Sequence, residues 1–345
     1  MLQIDGAEHS GSGTIVRFAV ALAALCRVPI HITNARARRP KPGLRPQHVA
    51  AVRACADLCD GRAEGLGVGA QEFTFVPGQR IRGGTFAWDI GTAGSATMLA
   101  LGVLPLGCFA AAPLTARITG GVFQDFAPSP HHMRHVLAPL LARMGVEVGL
   151  EVIRPGYVPR GAGVIELRVR PVRHALTPLS LREPGEVREV AGVAVASHLA
   201  ERRVDERMAG ACEARLAAAG LRCAIERVRD TSALHAGASL AIWTETSSGC
   251  LLGADRAGAR GRSSETIGRY VAESLLADVR SGATVDRHVA DQLVPFAALA
   301  DGRSDYLPPR WTDHVETNLW LVERFGATIP REGAALRIDG IGLAR

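Results

Sequence analysis

Apolar and polar positions along the chain switch between two spacings, and the switches divide it into elements. Recurrence near 3.6 residues marks helices, and alternation at two marks half-buried strands. Near the N-terminus, Ile4-Asp5-Gly6 reads as a strand end, Ser10-Gly11-Ser12-Gly13-Thr14 as a small-residue loop, Ile15 to Leu25 as a helix and Ile30 to Thr33 as a strand. Phe86 to Ile90 then leads into Gly91-Thr92-Ala93-Gly94-Ser95-Ala96-Thr97, an apolar helix from about Met98 and the strand Leu114 to Thr119. Both stretches run strand, Gly/Ser/Thr loop, apolar helix, strand, the pattern of a duplicated α/β unit.

Pro46 to Cys59 and His131 to Met144 have helical spacing, and Gly145 stands where the second helix needs a left-handed residue to stop. Strands are expected around Val146–Ile153 and Gly163–Val172. From about Leu181 the texture changes. A strand at 186–196, an amphipathic helix at 204–219 and strands at 222–228 and 239–244 form a β-α-β-β stretch with its own small core. The polar, glycine-rich segment 253–264 then leads into a helix at 265–279. We therefore expect a core at 1–180 and 272–345, with residues 181–271 as a small inserted α/β domain.

Composition narrows the class. A hydrophobic content of 47% with 38 glycines suits sizeable cores with many tight turns and excludes a disordered chain. The net charge of +6 favours an anionic partner, although a chain this rich in arginine carries part of that excess as general bias. The seven cysteines are scattered, with neither zinc-finger spacing nor a disulfide framework. No leader pattern follows Met1 and no apolar run reaches membrane-spanning length, so a reduced, cytoplasmic setting is expected, with no membrane partner.

The densest local signal is the run from Arg36 to His48, with Arg36, Arg38, Arg39, Lys41 and Arg45 among Pro40, Pro42, Gly43 and Pro46. Proline resists helix and stiffens the loop, and guanidinium forks on a stiff loop suit phosphate or carboxylate; a solvated basic loop is the plainer alternative. Backbone N–H groups in Gly11-Ser12-Gly13 and in 91–97, each between a strand and a helix, form a second kind of anion site, or the glycines serve close packing. Neither loop fits the dinucleotide fingerprint or carries the lysine of a phosphate-binding loop. His314 opens an apolar helix and is flanked by Asp313, Glu316, Thr317 and Asn318, which offer partners to fix its tautomer for nucleophilic work, or it caps that helix. Asp291 and Gln292, close after His288, suit a nucleotide or a helix cap, and His131-His132, without an acidic partner nearby, reads as structural or exposed.

Together these segments resemble the RNA 3′-terminal phosphate cyclases. The matching pieces are Arg-x-x-Arg-Pro-Lys-Pro-Gly-Leu-Arg-Pro-Gln-His at 36–48, Ile-Gly-Thr-Ala-Gly-Ser-Ala-Thr at 90–97 and Thr-Gly-Gly at 119–121. Gly-Tyr-Val-Pro-Arg-Gly-Ala-Gly at 156–163, Ala-Asp-Gln-Leu at 290–293 and His-x-x-Thr-Asn at 314–318 complete the set, in family order across nearly the whole chain.

The resemblance implies an α/β (α+β) fold of repeated βαβαββ-type units, related to the enolpyruvyl transferases, with a small inserted α/β domain. It implies an ATP-dependent enzyme, of the ligase type, that turns an RNA 3′-terminal phosphate into a 2′,3′-cyclic phosphate through a covalent histidine–AMP and an RNA adenylate. His314 matches the nucleophile. Asp291, Gln292, His288, Thr14 and Gly13 fall at the ATP, and Arg17, Arg36, Arg39, Gln47 and His48 at the phosphates and RNA. ATP with Mg²⁺ or Mn²⁺ and RNA 3′-phosphate ends are the expected partners. The alternative is a non-catalytic cyclase-like RNA-binding protein of RNA processing or ribosome assembly. One departure bears on this choice: the family's first loop reads Glu-Gly-Gly-Gly-Gln, whereas here it is Ser10-Gly11-Ser12-Gly13-Thr14, so the usual acid is missing and Glu8 or His9 is the nearest substitute.

Overall fold

The computed structural model describes residues 1–331 and 333–345. Its first unit runs β1 (Leu2–Asp5), α1 (Gly13–Cys26), β2 (Ile30–Thr33), α2 (Pro46–Cys59), β3 (Arg62–Glu64) and β4 (Phe73–Val76). The strands lie in the order β1-β2-β4-β3, with β1 parallel to β2 and the remaining pairs antiparallel.

The second unit repeats the plan. It contains β5 (Gly84–Asp89), α3 (Ala96–Cys108), β6 (Leu114–Gly120), α4 (Pro130–His132), α5 (Ala138–Arg143), β7 (Glu147–Arg154) and β8 (Gly163–Arg170). Its order, β5-β6-β8-β7, has the same parallel first pair and the same antiparallel remainder. Between α4 and α5 the helix widens into a π turn at Met133–Leu137, closed by the Ala138 N–H on the Met133 carbonyl. Pro139 follows directly; with no N–H to give, it leaves the usual bond to His135 unmade and the wider turn absorbs the gap.

A third copy is split. After β9 (Ser180–Leu181) come β10 (Val187–Ser197), α6 (Val204–Ala217), β11 (Cys223–Asp230), β12 (Gly237–Thr246), β13 (Leu251–Ala257) and α7 (Ser264–Arg280). These strands form their own sheet, ordered β11-β10-β12-β13, with α6 and α7 packed together on it. The chain then runs through α8 (Val289–Gln292), α9 (Val294–Leu299), β14 (Arg303–Tyr306), α10 (Asp313–Glu323) and β15 (Leu336–Asp339). Strand β14 pairs parallel with β9 and antiparallel with β15, the arrangement of the other two units.

Helices α1 and α3 are apolar around nearly their whole circumference and are buried accordingly, α1 from Gly13 to Leu25 without a break. They pack against each other and against α2, and α10 packs on α1. The sheets turn one face to this helical centre: β6 and β8 alternate buried and more exposed residues along their length. One sequence expectation needs correction, and several strands went unread. Residues 253–264 are not wholly a polar connection, because Gly253 to Ala257 belong to β13, where small residues let the strand press against its neighbours. The short strands β3, β4, β9, β14 and β15 carried no sequence signal strong enough to be named. Among the described residues, no helix is long and apolar enough to cross a membrane, and all seven cysteines are unpaired.

Candidate active site

Four helix starts meet through their side chains. Ser12 caps α1 and Ser95 caps α3, each hydroxyl accepting a backbone N–H from the first turn. Helix α2 begins at Pro46, and its first turn contacts both. The His48 ring lies against Gly13, where an added Cβ would come within 2.0 Å of Nε2, so only glycine fits there. Gln47 Oε1 accepts the Ser95 N–H at 2.9 Å. Thr312 caps α10, and Thr317 one turn later accepts the Ser10 N–H at 3.1 Å and shares its hydroxyl with Ser10 Oγ at 2.8 Å. The positive ends of α1, α2, α3 and α10 are thus gathered, the backbone arrangement suited to a polyanion.

Arg17 stands one turn into α1 and is buried, with Nη2 donating to Thr14 Oγ1 at 3.2 Å and Nε left without a partner. Burial lowers its pKa to about 10; Asp291 opposes this and Arg36 adds to it. His48 is buried too, and its Nδ1 accepts the Arg45 N–H at 3.0 Å. Burial, followed by the charges of Arg17, Arg36 and Arg45, drives its pKa down to about 2, so it stays neutral. Asp291 is half-buried, and burial raises its carboxyl to about 7 against the pull of Arg17. Asn318 of α10 donates to the Asp291 carbonyl at 2.8 Å, which ties α10 to α8.

His314 is half-buried in the first turn of α10. Burial lowers its pKa, and Arg17, Arg39 and His288 lower it further against the opposing Asp313. The imidazole is therefore neutral near pH 7, the form that attacks phosphorus. Three of the four expected tautomer partners are otherwise engaged: Glu316 pairs with Arg331, Thr317 bonds Ser10 and Asn318 bonds Asp291, while Asp313 acts on the ring by charge. His314 Nδ1 is instead buried without a partner.

The structure brings some of the sequence-predicted residues into contact and gives others different tasks. Gly13, Thr14, Arg17, His48, Asp291 and His314 come together by contact or through shared electrostatics, and Arg39, exposed on its loop, acts on His314 by charge. Arg36, in a left-handed conformation, spends one nitrogen on the carbonyls of Lys41 and Gly43, so it stiffens the basic loop from within. Gln47 is engaged with the second glycine loop. Gln292 is buried with Oε1 unpartnered, and His288, one helical turn earlier, is half-buried and its carbonyl accepts the Gln292 N–H at 3.3 Å. His132 departs from its reading, being fully buried and bonded to Asp286; separation in the chain hid that acid. Ser10 and its bond to Thr317 had no local signal either.

Three buried polar atoms without partners, Arg17 Nε, His314 Nδ1 and Asn318 Oδ1, belong to this cluster, and Gln292 Oε1, next in the chain to Asp291, is a fourth such atom. Unpaired buried groups are costly unless something else completes them, so the cluster fits a polar ligand such as a nucleotide. A resident divalent ion fits less well. Among the described residues no group of three His, Cys, Asp or Glu side chains could hold one, and Ser10 stands where the resembling family has its acid. Of the two nearest substitutes, the His9 ring lies 5.6 Å from that of Trp320, and Glu8 is exposed on the same loop.

Comparison with known proteins gives a single answer. Residues 8–329 match the family model described as RNA 3′-terminal phosphate cyclase. The chain is 40% identical over 330 residues to the RNA 3′-terminal phosphate cyclase of Hyperthermus butylicus, covering 94% of this chain and 91% of that protein. It is 39% identical over 351 residues to the cyclase of Methylococcus capsulatus, covering 100% and 96%. The solved enolpyruvyl transferase NikO from Streptomyces tendae aligns at a TM-score of 0.27 and 16% identity over 49% of this chain and 33% of that one, which is too slight to bear on the fold. The family model and the near full-length relatives agree, and this chain belongs to the RNA 3′-terminal phosphate cyclase family.

Proposed function

We propose that the protein converts an RNA 3′-terminal phosphate to a 2′,3′-cyclic phosphate at the expense of ATP, with His314 carrying AMP between the two. The observation that supports this is a neutral, half-buried imidazole placed among Arg17, Arg39 and the gathered helix starts. Its Nδ1 is closed off, so Nε2 is the attacking nitrogen in this reading. Nε2 forms a bond to the α-phosphorus of ATP as the bond to the β-phosphate oxygen breaks, and pyrophosphate leaves. An oxygen of the RNA 3′-phosphate then attacks the same phosphorus, the P–N bond breaks, and AMP passes to the RNA. Finally the neighbouring 2′-hydroxyl attacks the 3′-phosphorus, loses its proton, and displaces AMP.

Such transfers depend chiefly on positioning and on neutralising charge. Gly13, Thr14 and the helix starts suit the triphosphate, with Arg17, Arg36, Arg39, Gln47 and His48 around the phosphates, and His288, Asp291 and Gln292 suit the nucleoside. Mg²⁺ or Mn²⁺ belongs to this proposal as an ion carried by the nucleotide, where it would offset phosphate charge. A cytoplasmic setting is also part of the reading, resting on the unpaired cysteines. The division into a core at 1–180 and 272–345 and an insert at 181–271 remains a proposal as well. The pairing of β9 with β14 across the intervening sheet supports it, while the packing of α7 on α6 argues for a return beyond Arg280 rather than at 271.

The test is a 3′-phosphorylated RNA oligonucleotide incubated with the protein, ATP and either ion. The expected product is a phosphatase-resistant end, formed with AMP and pyrophosphate. RNA binding with no consumption of ATP would instead favour the non-catalytic reading, which the loss of the family's acid at Ser10 keeps in view.

A further inference from the structure

Asp286 is a fully buried carboxylate that the proposed chemistry does not use. It gathers donors from three distant pieces of the chain. Oδ2 accepts from His132 Nε2 at 2.9 Å and from the Gly253 N–H at 2.8 Å. Oδ1 accepts the N–H groups of His288 at 2.8 Å and Val289 at 2.9 Å. His132 comes from α4 of the second unit, Gly253 from β13 of the intervening sheet, and His288 and Val289 from the start of α8. The His132 and Asp286 side chains are both 0% exposed. Space for this arrangement is specific: a Cβ on Gly253 would stand 2.9 Å from His132 Cδ2. The His132 ring also meets the His288 ring edge-on, with centroids 5.7 Å apart.

A buried ion pair adds little net stability over an apolar filling, whereas removing one partner strands the other, so its value lies in fixing one arrangement. What it fixes here is the first turn of a short helix whose last residues are Asp291 and Gln292. We propose that His132 and Asp286 are positioning residues for the nucleotide: they lock the start of α8 to the second unit and to β13, and so present His288, Asp291 and Gln292 to ATP. This rests on the adenylyl-transfer reading above, and it gives the intervening sheet a task in ATP binding.

The test compares His132→Leu, which cannot donate to Asp286, with His132→Gln, whose amide can reach the same oxygen. Steady-state cyclisation of a 3′-phosphorylated RNA oligonucleotide gives KM for ATP and kcat, and hydrogen exchange of the nucleotide-free protein reads the His288 and Val289 amides. The expected result for His132→Leu is a KM for ATP raised by about tenfold or more, with kcat changed by less than about threefold. Its two amides lose protection, and His132→Gln restores both KM and protection. A KM within about twofold of the parent in His132→Leu, or equal losses in the two variants, would overturn the proposal. A parent that forms no adenylate would sink the proposed function itself, and the positioning role with it; a parent that labels normally leaves the positioning role alone on trial.

Discussion

The two glycine loops stand at the same place in two copies of one unit, yet only one of them is tied to His314. Ser12 and Ser95 cap the following helices, Thr14 and Thr97 stand two residues later, and Arg17 and Ala100 occupy the fifth helical position in each. The first loop is held by Thr317 of the His314 helix, the second by Gln47 from α2. Helix α3 stays apolar and packs. Helix α1 carries a buried cation toward the cluster, and its stem passes Gly102 of α3 at a distance where an added Cβ would make ordinary contact, 3.7 Å from Arg17 Cδ. The same scaffold occurs twice, and the two copies differ in the buried cation and in the tie to the His314 helix.

Exchanging the charge is the strongest way to break this comparison. Arg17→Met keeps the stem and removes the guanidinium, and it is expected to slow AMP transfer by about 10²–10³-fold in single-turnover labelling. Ala100→Met, at the matching place in α3, is expected to cost about 1–3 kcal/mol in urea unfolding by overpacking while the rate per folded molecule holds. Gln47→Leu leaves the buried Ser95 N–H without its acceptor and should lower stability by about 1–3 kcal/mol in the same titration. Thr317→Val unties the first loop from α10; about 1 kcal/mol of lost hydrogen bonding corresponds to a rate lower by roughly five- to tenfold.

The smallest effect is in pH. The His314 pKa lies below 6.5 in the folded protein, so the neutral, attacking form persists under mildly acidic conditions and is lost as pH falls through that lowered value. Arg39→Gln removes a cation that helps lower it. The acidic limb of the labelling rate is therefore expected to move up toward pH 6.5; an unmoved limb would mean that Arg39 does not act on His314.

Much of this was legible from spacing and composition. Helices with strong periodicity or an unbroken apolar run, such as α1, α2 and α7, were located to within a few residues, because burial of a continuous face dictates them. The third unit was not seen, since its first strand is two residues long and the β10–α7 segment separates it from its parallel partner. Strand β13 was misread because glycine, aspartate and arginine dominate its second half, where close approach matters more than hydrophobicity. In the site, single residues were legible and their partners were not. Ser10 meets Thr317, Gln47 meets Ser95 and His132 meets Asp286 across separations that no local pattern records.

The most direct measurement mixes the purified protein with α-labelled ATP and Mg²⁺ or Mn²⁺, beside His314→Ala checked for native circular dichroism. The predicted result is acid-labile, alkali-stable label on the parent, as a phosphoramidate requires, and none on the variant. Label on folded His314→Ala at the parent's rate would contradict the assignment of His314 as the AMP carrier.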